Sequence, residues 1–139
     1  MWNPLKAAVA FCLVASTGTA QTMRPDPTWK INPLPGDARF EVVEGLQGGD
    51  LRIWCEAGRY ALRELGAGAT DRLYVETPRA VAKTERGYGV GFTLAPSAGL
   101  LANAARPGDG GNYSLRFDFA GFNISVGNAR GLCTYEMDW

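Results

Sequence analysis

Residues 48–66 read GGDLRIWCEAGRYALRELG, and this stretch decides the fold, because it is the one well-formed helical pattern downstream of the leader. Asp50 stands where a helix N-cap accepts the first orphan amides, and Gly66 stands where a left-handed residue ends a helix. At 100° per residue, Leu51, Trp54, Gly58, Ala61, Leu62 and Leu65 gather on one apolar arc with Cys55 at its edge. Arg52, Glu56, Arg59 and Arg63 fill the next arc. Their i,i+4 and i,i+3 spacings suit an ion-paired face turned to water. Ile53 and Tyr60 fall outside both arcs; where the proline-rich segment upstream does not cover it, this small patch is the expected surface for a partner, with Arg52, Arg59 and Arg63 beside it.

Upstream, residues 1–20 have the order of a secretory signal: Lys6 in a polar start, an apolar run from Ala7 to Ala15, and small residues Gly18 and Ala20 before Gln21. The run is too short to span a bilayer, and nothing later in the chain is apolar enough to do so. Cys12 is expected to leave with the leader. The remaining 21–139 suffice for one domain. The chain has 14 acidic and 14 basic residues; losing Lys6 leaves it one short of neutrality, which gives no support to nucleic-acid binding. Export predicts a periplasmic or secreted protein. In that oxidising compartment the two remaining cysteines, Cys55 and Cys133, are expected to pair.

Residues 21–37, QTMRPDPTWKINPLPGD, hold four prolines and no periodicity. They read as an extended arm or linker rather than a core element, with Trp29, Ile31 and Leu34 available to dock. The domain proper is then 38–139. Its strands are expected at 39–44, at 71–76 with Pro78 as the stop, and at 87–94. In the last of these, Tyr88, Val90, Phe92 and Leu94 share one face and three glycines line the other. That bare face suits close approach by a ligand or by an aromatic such as Trp54. A long loop follows, with one helical turn between Ala98 and Ala105. Tyr113, Leu115, Phe117 and Phe119 alternate with Ser114, Arg116 and Asp118, the clearest half-buried strand of the chain. Ala120-Gly121 turns it into a hairpin with Phe122, Ile124 and Val126, and 131–135 form a last short strand or tail. The order predicts an α+β domain, one antiparallel sheet of four to five strands on a single main helix, with one disulfide.

The chain contains no histidine, which removes Ser-His-Asp and Cys-His catalysis and histidine-ligated metals. No pattern calls for a metal or cofactor. The alternating Gly87, Gly89 and Gly91 lie inside a strand with no helix after them, so they are not a phosphate loop. Carboxylates remain for chemistry: Glu41 and Asp118 are the candidates, with Glu44 and Glu136 beside them, and no spacing selects a pair.

Trp54-Cys55-x-Ala57-x-x-Tyr60-Ala61, Leu65-Gly66-Ala67, Arg72-x-Tyr74-Val75, Phe92-Thr93-Leu94-x-Pro96, Ser125-Val126 and Gly131-x-Cys133 together resemble a group of small exported alphaproteobacterial proteins. These share a Trp-Cys helix start and a late second cysteine. The likeness covers about 38–133; it implies export and paired cysteines, and carries no activity. The expectation is therefore a binding domain for a protein or cell-envelope component. The alternatives are an enzyme inhibitor or small carboxylate hydrolase, and a structural subunit contacted through the arm and the terminal 135–139.

Overall fold

A computed structural model describes residues 26–47 and 49–137, with side chains described through Thr134. The expected leader, Cys12, the first part of the arm and the last two residues of the tail lie outside the described residues. Five strands form one antiparallel sheet in the order β1 (Lys30–Pro33), β2 (Arg39–Val43), β4 (Tyr88–Thr93), β3 (Arg72–Val81), β5 (Asn123–Ser125). The main helix α1 (Asp50–Arg63) connects β2 to β3, and a short helix α2 (Ala98–Ala102) follows β4. Both strands run antiparallel to β4 between them, so β2-α1-β3 is a parallel crossover with a strand inserted, and α1 lies across one face of the sheet. The α+β architecture with one disulfide is thus the fold of this chain.

Below that level the structure departs from several expectations. The arm is not a linker: its 30–33 pair with 40–43 as the sheet's edge strand, so the domain begins before residue 38. Pro78 does not stop β3. The strand continues to Val81 because two register shifts, between Val75 and Thr77 and between Thr77 and Ala80, place Pro78 in a bulged stretch where no ladder donor is needed. The bare face of β4 is not met by Trp54, which lies on the opposite, helix side of the sheet against Phe92, ring centroids 5.1 Å apart. Thr77 fills it instead: a Cβ on Gly91 would come 2.9 Å from the Thr77 Cβ.

The segment 113–119 is not a strand. Tyr113 is 78% exposed, and the Arg79 amide reaches the Phe117 carbonyl (3.0 Å) as a single rung. The expected hairpin partner, 123–125, instead pairs with 72–74 of β3. Asn123 anchors this edge from a buried position. Its Oδ1 accepts from Arg72 Nε (2.8 Å) and its Nδ2 donates to the carbonyls of Ala105 and Gly121. Val126 does not continue the strand but opens α3 (Val126–Gly131), capped by the Ser125 hydroxyl on the Asn128 amide. Leu132–Met137 form a 3-10 helix rather than a strand.

Helix α1 is covered on two sides, and this rearranges its expected faces. Ile53, Trp54, Ala57 and Ala61 enter the main core. Gly58 faces α3, where a Cβ would fall 2.6 Å from the Arg130 amide nitrogen. Cys55 meets Cys133 in a disulfide with Cα atoms 4.8 Å apart. On the chain-entropy model a bridge closing a loop of this length stabilises by about 4 kcal/mol. The helix starts one residue earlier than expected, with Gly49 at the N-cap and Asp50 in the first turn. It ends as the sequence predicts. Gly66 takes φ +65°, and the Ala67 amide returns to the Ala61 carbonyl (3.0 Å).

Candidate binding cleft between the edge strand and the main helix

The residues expected to form a partner surface divide into a buried layer and an open one. Ile53 is 1% exposed and belongs to the core, and Arg52 is buried, so neither is a surface residue. The correction has a physical cause: the proline-rich segment folds over them. Trp29 is 8% exposed, its Nε1 donates to the Gln47 carbonyl at 2.7 Å, and the Arg52 guanidinium sits 5.6 Å from its ring centroid. Gly45 permits this approach, since a Cβ there would lie 2.4 Å from Trp29 Cδ1. Asp26 fixes the entry by accepting from the Thr28 amide and hydroxyl, bonds that hold its carboxyl below the usual range.

The charged arc does not face water as a whole. Glu56 accepts from Arg52 Nη2 at 2.9 Å and from Arg59 Nη1 at 3.4 Å, and the side chains of all three are between 7% and 13% exposed. Burial lowers the Arg59 pKa; Glu56 opposes this, and Arg130, Arg52 and Arg63 add to it. Even lowered, a guanidinium remains charged at neutral pH. Arg63 is exposed and, among the described residues, makes no ion pair.

Arg59, Tyr60 and Arg63 come together with Trp29 and Ile31 around a cleft of about 200 Å³, with Asp26, Glu56 and Glu64 on its rim. Its floor is apolar: Ile31 and Tyr60 pack on the core cluster, and Tyr60 lies 4.6 Å from the Phe40 ring. Trp29 and Ile31 were legible as docking residues, but not as the opposite wall of the helix surface. That requires knowing that 30–33 form a strand.

The Glu136 side chain lies outside the described residues, and the other candidate carboxylates, Glu41, Glu44 and Asp118, are not brought together. Glu41 points to the sheet face away from α1, where it accepts from the Lys83 amide, the Thr84 amide and the Thr84 hydroxyl at 2.7–3.0 Å. Burial pushes its carboxyl up, but these bonds outweigh burial and hold it below the usual range. Asp118 belongs to the irregular segment beside β3, with β4 and β3 between it and the strand of Glu41. Its pairing with exposed Arg116 lowers its pKa. Glu44 is held by Arg79. Each of these three carboxylates is occupied, and two are ordinary anions rather than proton donors tuned toward neutrality.

A second, larger groove of about 540 Å³ lies where Leu115 and Ile124 face Leu132 and Thr134 across Gly127 and Gly131. Sequence reasoning gave no sign of it, since it depends on 126–137 being helical. Among the described residues no three Cys, Asp or Glu side chains cluster to hold a metal, and no helix is long and apolar enough to cross a membrane. Comparison with protein-family models, curated proteins and solved structures finds no match to this chain.

Proposed function

We propose that the protein is an exported binding domain, acting in the periplasm or outside the cell, and that the cleft between β1 and the C-terminal half of α1 receives a segment of a protein partner or cell-envelope component. The observation that carries this reading is the cleft's composition. Trp29, Ile31 and Tyr60 give it an apolar floor, Arg63 and Glu64 stand exposed at its mouth, and the residues of both walls are fixed by hydrogen bonds, ion pairs or core packing. Recognition sites combine an apolar anchor region with a few oriented polar groups in this way. The Cys55–Cys133 disulfide suits an oxidising compartment. The carboxylate-hydrolase alternative loses its support, because Glu41 anchors the β3–β4 connection and Asp118 pairs with Arg116.

The test is a photo-crosslinking amino acid placed at Tyr60 and, as a control, at exposed Glu85, in cells of the source organism. The reading predicts a discrete adduct from position 60 that disappears on Arg63→Glu. Adducts from position 85 and none from position 60 would overturn it.

A further inference from the structure

Strand β1 is the edge of the sheet, and its register fixes which backbone groups face outward. The Leu34 amide donates to the Arg39 carbonyl at 2.9 Å. Lys30 and Asn32 stand opposite Val43 and Glu41. Hydrogen-bonded and non-bonded pairs alternate along an antiparallel ladder, so Lys30, Asn32 and Leu34 direct their backbone polar groups at β2. Ile31 and Pro33 therefore turn theirs outward. Pro33 has no N–H, so the free edge offers one donor, the Ile31 amide, and two acceptors, the carbonyls of Ile31 and Pro33. Among the described residues nothing pairs with them. The Ile31 side chain meanwhile forms part of the cleft floor.

From this juxtaposition we infer that the partner segment, on the cleft reading above, is an extended polypeptide that adds to β1 as a sixth strand, with an apolar side chain opposite Ile31 seated in the cleft. Residues paired across a ladder share a face. A partner residue exchanging both backbone bonds with Ile31 therefore directs its side chain between Ile31, Trp29 and Tyr60, and the residues two before and two after it fall on the same face. Backbone bonds supply affinity and the alternate pocket supplies selectivity in this mode of recognition. Pro33 closes one end of the donor row, which fixes the register and limits pairing to two or three bonds. A full exposed edge would invite indiscriminate association. The cleft mouth carries one exposed charge of each sign, Arg63 and Glu64, so the backbone and the apolar anchor, rather than net charge, define the partner.

The probe is the peptide acetyl-Thr-Val-Thr-Leu-Thr-Val-amide, titrated into the disulfide-intact protein and followed by amide chemical shifts. The expected result is a shift of the Ile31, Asn32 and Tyr60 amides with a dissociation constant on the order of 0.1–1 mM. N-methylation of the peptide leucine amide, which removes the donor facing the Ile31 carbonyl, is expected to weaken binding about tenfold. Ile31→Pro removes the one outward donor and is expected to do the same, while Ile31→Val stays within about twofold. If Ile31→Pro fails to fold, the N-methylated peptide decides the matter alone. Equal binding of methylated and unmethylated peptides, with shifts still at Tyr60, overturns the strand pairing and leaves the cleft as a partner site. Shifts confined to residues outside β1 and α1, or no shift at millimolar peptide, overturn the pairing as well. The crosslinking at Tyr60 judges the cleft separately.

Discussion

Tyr88–Thr93 and Tyr113–Phe119 carry the same alternation of large apolar and small or polar residues, and they meet opposite fates. The first is β4 at the centre of the sheet, with β2 and β3 on either side and Val90 and Phe92 fully buried. The second stays irregular, with Tyr113 and Phe119 exposed. The difference lies in the neighbours. β4 finds a continuous ladder on its β2 side, Arg39 to Val43 against Thr93 to Gly89. The 113–119 segment lies beside the bulged half of β3, where two extra residues between Val75 and Ala80 shift the register and leave one rung, Arg79 to Phe117. Alternation says that a segment has two faces; whether it becomes a strand depends on an edge in phase with it.

The largest test of this contrast is truncation of one aromatic from each segment. Phe92→Ala is expected to destabilise by about 3–5 kcal/mol in urea unfolding, as full truncation of a buried aromatic does. Phe119→Ala, on a side chain 37% exposed, is expected to cost less than about 1 kcal/mol. Equal costs would mean that 113–119 packs as a strand after all. Next in size, Gly91→Ala drives a methyl to 2.9 Å from the Thr77 Cβ; overpacking of this kind costs roughly 1–3 kcal/mol, and thermal unfolding should show it. A silent Gly91→Ala would break the account of how the bare face of β4 is filled.

How much of this was open to the sequence depended on whether the signals were local. The C-terminal end of α1 follows from Gly66, whereas its start falls one residue earlier than Asp50 suggests. The cysteine pairing was expected from the leader-like start and from the two cysteines that remain after it. The 39–43 and 88–93 strands follow from their own residues. β1 stayed hidden because Pro33 and Pro35 suggest a linker, while the signal for its inclusion, Trp29 resting on Gly45, lies in a contact between distant residues. α3 and the 3-10 helix show little local pattern beyond the Ser125 cap. They are held by the close Gly58–Arg130 approach and by the disulfide. The site divides the same way: Arg59, Tyr60 and Arg63 were legible from helical spacing, whereas the burial of Ile53 and Arg52 depends on Trp29, just before β1, packing there.

The smallest effect concerns the two carboxylates attached to these regions. Glu41 has a folded-state pKa below its unfolded value, so its contribution to stability is present above the unfolded pKa of roughly 4.3 and is lost as pH falls through the folded value. Urea midpoints measured between pH 6 and pH 3 should decline, and Glu41→Gln should flatten part of that decline. Asp118 is lowered too, but it is exposed and screened. Asp118→Asn should leave the profile nearly unchanged. A larger effect from Asp118 than from Glu41 would reverse the assignment of the ordered and the irregular segment.

Residue-resolved native-state hydrogen exchange along 28–34 tests the central claim most directly, that this proline-rich segment is an ordered edge strand with one free outward donor. The account predicts slow exchange for the amides of Lys30, Asn32 and Leu34, which donate into β2, and fast exchange for Ile31 between them. Uniformly fast exchange across the segment would make it a linker and dissolve the cleft. Protection of Ile31 equal to that of its neighbours would show that the outer edge is already paired.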